Sequence, residues 1–344
     1  MIEWLESLLL GLIQGVTEFL PVSSDGHLAI TQQGFAWLTG HRRSGKEDLF
    51  FDIMLHVGTL CAILFHYRRE ILEGARGLLL DAKDVRPGFD RGAVLRVGLL
   101  AGVATSPLVP FALIFKKKLE EAFQSTTAAG VGFLITAAAL LVVSWRMRSR
   151  DGSKDATTMT WLDALLIGIA QTAAPLPGVS RSGMTIAAAL LLGLTRSWSV
   201  GFSLLIAVPA ICGAAVFELK DALKDPSALG LTPDRIAQTL AATVLAGIVG
   251  YFAILWLIRV VRGGRLWYFS VYLIGLGSLV LALSAVSGGS PDAGAAKTLD
   301  RTAVGRDLGT DPDGIRRGYP LPLDRPHAPG SGPPGILAGA PATS

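Results

Sequence analysis

Residues 4–14 read WLESLLLGLIQ and residues 161–171 read WLDALLIGIAQ, so the chain contains an internal repeat. At a constant offset of 157 residues, six positions of the two stretches carry the same amino acid. They are Trp4, Leu5, Leu8, Leu9, Gly11 and Gln14 in the first stretch, and Trp161, Leu162, Leu165, Leu166, Gly168 and Gln171 in the second. A related break follows each stretch, LPVSSDG at 20–26 and LPGVSRSG at 176–183. Further on, Phe51 and Cys61 match Phe202 and Cys212. The sequence therefore predicts two repeats, over about 1–145 and about 157–287.

Apolar residues dominate the composition. Of 344 residues, 51% are hydrophobic and 17% are charged, against about 25% charged in an average soluble domain. The mean hydropathy of +0.49 is hard to accommodate in a water-soluble globule. The net charge of +4, without basic runs interleaved with aromatic residues, excludes nucleic acid as a partner. Cys61 and Cys212 lie in apolar runs, where we expect both to be core packing residues. The composition therefore predicts an all-α polytopic membrane protein.

Six apolar stretches are long enough to cross a bilayer, which takes about 20 helical residues. They are 49–67, 93–115, 126–145, 199–218, 236–258 and 268–286. Two further regions, 2–38 and 161–195, each hold a short apolar run, a Pro/Ser/Gly break and a second short run. The 11 residues of the run 4–14 would make about 16 Å of helix, too short to span. We therefore predict six transmembrane helices and two re-entrant helical hairpins, because broken helices are tolerated at membrane depth only inside protein or beside a wet cavity.

The arrangement of the repeats and the loop charges predict an orientation. Each repeat holds one hairpin and three spans, and because three is odd, the second repeat must be inverted relative to the first. Basic residues in the predicted loops number nine on the side of the N-terminus and fourteen on the other side, which places both termini outside the cytoplasm. Because the first 41 residues contain no Lys or Arg, we expect no secretory signal.

The composition changes at residue 288. The segment 288–344 contains 11 Gly and 9 Pro among 57 residues. Such a segment has too little apolar surface to offset the entropy lost on ordering. We predict a membrane-embedded domain over 1–287 and a disordered, dispensable Gly/Pro-rich tail over 288–344.

Residues of the first break could bind a metal ion. Gln14 and Glu18 are four apart, hence on one face of a helix. An ionisable side chain such as Glu18 is costly in an apolar run and usually functional. The amide and carboxylate oxygens suit Mg²⁺ or Ca²⁺. The alternative is that Glu18 only caps or pairs structurally.

Ser23, Ser24 and His27 follow where the chain turns into the next helix. A serine with a histidine three residues later could be nucleophile and base. The alternative, stronger for Ser23 than for Ser24, is that the serine caps the helix.

The second break supplies a cation. Arg181 precedes a helix start, where a guanidinium beside free backbone N–H groups would bind phosphate. Gly178 and Gly183 would let the backbone approach a ligand. The alternative is a structural arginine bound to carbonyl groups. In the first full span, Asp52 and His56 could form a proton path, although an ordinary interhelical polar contact is the favoured interpretation.

If the two breaks meet, a metal-binding carboxylate, a Ser/His pair and an anion-binding arginine converge in a cavity open to lipid. These are the parts that phosphoryl transfer requires. The predicted substrate is a lipid that carries phosphate or diphosphate. A lipid-phosphate transporter or flippase would share the repeat and the anion site, and an intramembrane serine protease would use Ser and His without a metal. Phosphate release in detergent and inhibition by EDTA separate these alternatives.

Two motifs resemble one family. Residues 14–27 read QGVTEFLPVSSDGH and residues 177–183 read PGVSRSG. The first is similar to the pattern [E/Q]-x-x-x-E followed by Pro-x-Ser-Ser-x-Gly-His, and together they resemble undecaprenyl-diphosphatase of the bacitracin-resistance type. FDIMLHVGTL at 51–60 and FSLLIAVPAI at 202–211 also look like that family's spans. The resemblance covers roughly 1–286.

The resemblance implies a multi-pass enzyme of the bacterial inner membrane that hydrolyses undecaprenyl diphosphate to the monophosphate and phosphate. That step recycles the lipid carrier of peptidoglycan synthesis, and over-production gives bacitracin resistance. The family uses a divalent cation, and its site opens to the outer face. The sequence leaves the oligomeric state open, a homodimer included.

The resemblance also assigns roles to residues of the two breaks. Gln14 and Glu18 would bind the metal, with Glu18 also in the acid/base role. Ser24 would be the nucleophile with His27 beside it, and Arg181 would hold the diphosphate. The residues assigned to substrate binding are Ser23, Gly178, Ser180, Arg181, Ser182 and Gly183. The chain departs from the family at two positions, Gln14 where many members have Glu, and Asp25 where a small hydroxyl residue is expected.

Overall fold

The structure is a computed structural model, which describes residues 2–40, 45–80, 86–123, 125–148, 151–222 and 232–286. This part of the chain is helical. Its twelve helices are α1 (Ile2–Thr17), α2 (Ser24–Thr39), α3 (Gly45–His66), α4 (Arg68–Leu79), α5 (Arg91–Thr105), α6 (Leu108–Phe123), α7 (Thr126–Arg146), α8 (Trp161–Gln171), α9 (Arg181–Leu191), α10 (Arg196–Ala222), α11 (Pro233–Arg262) and α12 (Trp267–Val286). The predicted tail 288–344 lies outside the described residues.

Among the described residues, five stretches are long and apolar enough to cross a membrane. They are Arg91–Leu119, Thr126–Arg146, Arg196–Val216, Pro233–Arg262 and Trp267–Val286. A sixth results if α3 and α4, which meet at an angle of 69°, count as one bent span. The prediction of an all-α polytopic membrane protein is confirmed. The predicted span 93–115 is divided between α5 and α6, where Pro107 has no N–H to continue the helical ladder.

Helix α4 was not predicted, because the charged residues from Arg68 onward were assigned to a loop. It is a 12-residue helix whose N-terminal half carries most of the charges. Ile71, Leu72 and Leu79 are nevertheless exposed. Gly77 packs so closely on the following segment that a Cβ there would lie 1.6 Å from the carbonyl oxygen of Phe89. Such a short amphipathic helix is typical of the membrane interface, and hydropathy averaged over a span-length window does not detect it.

The two predicted hairpins are pairs of short helices, α1 with α2 and α8 with α9. The breaks between them cover 18–23 and 172–180. Each second helix begins on a serine cap. The hydroxyl of Ser23 accepts a hydrogen bond from the backbone N–H of Gly26, and that of Ser180 accepts one from Gly183. These caps satisfy backbone groups at a helix N-terminus, where intrahelical partners are missing.

Matched residues of the two repeats have matched surroundings. A Cβ on Gly11 would lie 2.6 Å from the carbonyl oxygen of Ala242 in α11, and one on Gly168 would lie 2.4 Å from that of Ala104 in α5. Each repeat's first helix therefore packs tightly on a helix of the other repeat, α1 on α11 and α8 on α5.

The second pair of similar segments, which begin at Phe51 and at Phe202, also has matched burial. Phe51 and Phe202 are both buried, whereas Cys61 and Cys212 are both exposed. The prediction that the cysteines pack in the core is therefore wrong. Lipid tails are as apolar as a protein core, so an apolar run does not reveal which of its faces is turned inward.

The apolar core includes the first break and the helix that follows the second. Phe19, Leu20 and Val22 from the first break are buried in one cluster with Phe133 of α7 and Ile186 of α9. The polar residues of the breaks are therefore held in a well-packed frame, which fixes their positions for chemistry.

Candidate active site

The two breaks are in direct contact. The hydroxyl of Ser182 donates to the carbonyl oxygen of Leu20 at 3.0 Å, and the Arg181 guanidinium donates to Glu18 at 2.7 Å. A Cβ on Gly26 would lie 3.0 Å from the Cα of Gly178. Residues more than 150 positions apart in sequence therefore form one polar centre, as the repeat predicted.

Glu18 lies at the middle of this centre, with partners on both carboxylate oxygens. Only 5% of its side chain is exposed. Its Oε1 accepts from Nη2 of Arg181, and its Oε2 accepts from the hydroxyl of Ser24 at 2.7 Å and from Nε2 of Gln14 at 3.1 Å. Nε2 of His56 lies 3.6 Å from the same Oε2. A buried carboxylate is stable only with such partners, so Glu18 is held in one position by contacts from both repeats.

Arg181 begins α9 and is anchored at two nitrogens. Besides its bond to Glu18, its Nη1 donates to the carbonyl oxygen of Ala207 at 3.2 Å. Its side chain is 16% exposed. A guanidinium has five N–H donors, so Arg181 retains donors for an anion while it neutralises Glu18.

The oxygen atoms around Glu18 fit a divalent cation. Oε1 of Gln14 is buried and has no hydrogen-bond partner within the described ranges, so a hard oxygen ligand is left unused beside the Glu18 carboxylate. No group of three His, Cys, Asp or Glu side chains suited to a metal occurs in the part of the chain that the structure describes. Mg²⁺ commonly binds to one or two protein oxygens, with water and substrate phosphate as its other ligands. The residues fit a cation of that kind and do not form a closed protein cage.

Ser23 and Ser24 have different environments although they are adjacent. Ser23 has φ 69°, a left-handed conformation that costs a non-glycine residue energy, and its side chain caps α2. The turn at Ser23 places Ser24 at the first position of α2, with its hydroxyl on Glu18. Ser24 is therefore hydrogen-bonded to a carboxylate that can take its proton.

His27 is bonded away from Ser24. Its Nδ1 lies 2.7 Å from the carbonyl oxygen of Ser23, and its Nε2 lies 2.7 Å from the hydroxyl of Tyr272 in α12. The sequence placed Ser24 and His27 together as nucleophile and base, but the structure brings Ser24 to Glu18 and His27 to Tyr272.

The second break is braced by α7. The backbone N–H of Ser180 donates to Thr136, whose hydroxyl lies 3.3 Å from the carbonyl oxygen of Gly178. Gly178 has φ 80°, and a Cβ there would lie 2.0 Å from the carbonyl oxygen of Ala129. A Cβ on Gly183 would lie 2.9 Å from the methyl group of Thr136. The space beside both glycines is thus filled by α7, which shapes the break.

Three residues of the centre did not stand out from the sequence. His56 was seen in the spacing with Asp52 but was interpreted as an ordinary contact. Thr136 and Tyr272 gave no signal, since single hydroxyl residues in apolar spans are common. Asp25, the second departure from the family pattern, is close enough to interact electrostatically with His56, Glu18 and Arg181.

Comparisons with known proteins place the chain in a family. The family model of the bacitracin resistance protein BacA matches residues 7–279. The undecaprenyl-diphosphatase of Alkaliphilus metalliredigens is 37% identical over 284 residues, which cover 81% of this chain and 98% of that protein. Those of Carboxydothermus hydrogenoformans and Nocardioides are 37% and 36% identical, over 81% and 83% of this chain and 97% and 98% of their own lengths. The matched region includes both breaks.

Proposed function

Because the chain belongs to the bacitracin resistance protein BacA family, we infer that it hydrolyses undecaprenyl diphosphate to undecaprenyl phosphate and inorganic phosphate. Relatives that carry the name undecaprenyl-diphosphatase are 34–38% identical and match over nearly their whole lengths. Such hydrolysis recycles the lipid carrier of cell-wall synthesis and confers bacitracin resistance.

One observation carries the chemical assignment: Ser24 and Arg181 approach opposite oxygens of Glu18, both at 2.7 Å. A hydroxyl beside a carboxylate can lose its proton as it attacks, and a guanidinium beside it can hold the phosphate under attack. The centre therefore combines a nucleophile, a base and an anion-binding group.

We propose the following reaction. The Ser24 oxygen bonds to the terminal phosphorus and its proton passes to Glu18. The bond from that phosphorus to the bridging oxygen breaks, and its electron pair leaves on undecaprenyl phosphate. Water then attacks the phosphorus of the phosphoserine and the bond from phosphorus to the serine oxygen breaks. One proton of the water goes to that oxygen and restores the hydroxyl, the other stays on the inorganic phosphate that leaves, and Glu18 releases the proton it took to water. Arg181 stabilises the negative charge of the phosphoryl oxygens in both steps.

We propose that Gln14 and Glu18 hold a divalent cation, Mg²⁺ or Ca²⁺. When bound, it would neutralise charge on the diphosphate. The unused Oε1 of Gln14 supports this assignment. Ser23, Ser180 and Ser182, together with the backbone at Gly178 and Gly183, would shape the phosphate pocket around Arg181.

We further propose that the protein lies in the bacterial inner membrane with its site open to the outer side. The excess of basic residues in the loops opposite the termini supports that orientation. His27 lies at the edge of the centre, where its partner Tyr272 is 48% exposed. We assign His27 to proton transfer at this edge, where the Tyr272 hydroxyl lies on Nε2 and would link the ring to water or phosphate.

The test is phosphate release by the purified protein in detergent, where transport is impossible. We expect release from a prenyl diphosphate with Mg²⁺ or Ca²⁺ and none with EDTA. Arg181→Lys, which keeps a positive charge beside Glu18, should lose most of the activity, whereas Arg76→Lys, which changes an exposed residue of α4, should match the parent protein. Binding of prenyl diphosphate without phosphate release would support a transporter instead, and release that resists EDTA would refute the metal assignment.

A further inference from the structure

The ring of His27 has a hydrogen-bond partner at each nitrogen and contacts two aromatic rings. Its Nδ1 contacts a backbone carbonyl, an acceptor only, so in the neutral ring Nδ1 carries the proton and donates to Ser23. Nε2 then presents a lone pair, and the hydroxyl of Tyr272 donates to it at 2.7 Å. The Tyr272 ring is stacked on the imidazole at 5.7 Å with an interplanar angle of 12°, and Phe133 meets it edge-on at 5.2 Å.

Tyr272 reaches this position from a distant part of the chain. It lies 245 residues after His27, in the last described helix. Helix α12 is positioned by tight packing on α7, where a Cβ on Gly277 would lie 3.0 Å from the carbonyl oxygen of Gly130. The same α7 carries Phe133, so one helix pair places both aromatic contacts of His27.

We propose that Tyr272 is a positioning residue for the hydrolysis, which acts through His27. Its hydroxyl selects the ring form with the proton on Nδ1 and holds the basic Nε2 against the half-exposed Tyr272 side chain at the edge of the centre. Without that hydroxyl the imidazole keeps its bond to Ser23 but loses the partner that fixes Nε2. The catalytic consequence rests on the proposed role of His27, whereas the hydrogen bond itself can be tested separately.

The key variant is Tyr272→Phe, which keeps the stacked ring and removes only the hydroxyl. Tyr268→Phe is the matched control, because Tyr268 lies one turn earlier on α12 and is equally exposed. A hydrogen bond is typically worth a factor of about 3 to 10 in rate. We expect kcat of Tyr272→Phe to fall by about that factor with little change in KM, and Tyr268→Phe to be unchanged.

A double-mutant cycle shows whether Tyr272 acts through His27. In a His27→Ala background, Tyr272→Phe should cost nothing further. The proposal is overturned if the loss is the same in both backgrounds, if Tyr272→Phe alone is fully active, or if His27→Ala itself has normal turnover.

A spectroscopic readout separates this proposal from the proposed function. In the full chain labelled with ¹⁵N-histidine, the Nε2 resonance assigned through His27→Ala should be that of an unprotonated, hydrogen-bonded nitrogen. In Tyr272→Phe it should move toward the position of a free imidazole nitrogen. An unmoved resonance refutes the hydrogen bond whatever the activity. Absence of phosphate release by the parent protein would instead refute the proposed function.

Discussion

Replacing Arg181 by lysine is the sharpest test of the centre, because the change keeps the positive charge and removes the planar guanidinium with its several N–H donors. Arg181 donates from two nitrogens, to Glu18 at 2.7 Å and to the carbonyl oxygen of Ala207 at 3.2 Å. A lysine offers a single ammonium group on a different stem and cannot hold both positions and a phosphate oxygen. Alanine is a poorer choice, since it would leave Glu18 buried without a counter-charge, at a cost of about 3–5 kcal/mol in stability.

The expected loss of rate follows from the hydrogen bonds that the guanidinium makes. Loss of one charge-assisted hydrogen bond to the transferring phosphoryl group costs about 1.5–3 kcal/mol, which is roughly a 10- to 100-fold loss of rate. We expect the loss of kcat/KM to include kcat, because the charge on those oxygens changes during the reaction. Stability should fall by about 1.5–3 kcal/mol, the value of one hydrogen bond from a charged group to the backbone.

The assay is phosphate release from a prenyl diphosphate, with thermal unfolding measured in the same detergent. Arg96→Lys is the matched control. Arg96 also donates from two nitrogens, to the carbonyl oxygens of Ala156 and Met159, but away from the breaks. This control should lose stability while its folded molecules keep normal turnover. If kcat of Arg181→Lys stays within about threefold of the parent value, Arg181 only attracts anions, and the assignment is wrong.

Three other changes probe the rest of the centre. Ser24→Ala should remain folded and lose at least about 100-fold in turnover, and near-normal activity of this variant would exclude a covalent route. Ser23→Ala removes a helix cap and should mainly lose about 1 kcal/mol of stability. Gln14→Glu would place two carboxylates about 3 Å apart, so this variant should reach half of its maximal rate at a lower metal concentration, and added metal should raise its unfolding temperature more than that of the parent protein. Glu18→Gln should stay inactive at any metal concentration. If the metal concentration for half-maximal rate is the same in Gln14→Glu as in the parent protein, the ion lies elsewhere. Gly178→Ala should destabilise the protein as a whole, because a Cβ there overlaps the backbone of α7 at 2.0 Å; a stable variant that loses only substrate binding would show that this glycine contacts the ligand.

Hydropathy and repetition predicted the spans and the meeting of the breaks. From the sequence, the convergence of Glu18 and Arg181 depends on whether the two breaks meet, and the structure shows that these two residues are in contact. What the sequence could not show is which atoms bond within the centre. The serine hydroxyl had both His27 and Glu18 within a few residues, and only the left-handed turn at Ser23 decides between them.

Long-range contacts, and which face of each helix is buried, could not be predicted from the sequence for a physical reason. In a bilayer both the outer face and the core are apolar, so the exposure of Cys61 and Cys212 and the contact of Tyr272 with His27 leave no periodic pattern. Helix α4 was missed because its charges resemble those of a loop. Such features depend on how helices pack, and only the folded chain contains that information.

The pseudo-symmetry of the repeats also explains how the centre is built. Ser24 and Arg181 occupy the same place in their hairpins, the first helical position after a serine cap, and both reach Glu18 at 2.7 Å. Glu18 has no counterpart, because the offset of 157 that pairs Gln14 with Gln171 leads to Pro175, and the offset of 156 that pairs Leu20 with Leu176 leads to Ala174. A single buried carboxylate is therefore shared by two equivalent helix starts, one bearing a hydroxyl and the other a cation. Two identical halves would bury either two carboxylates or none, so the divergence of the two breaks is what turns a symmetric scaffold into a site with distinct nucleophile and anion-binding sides.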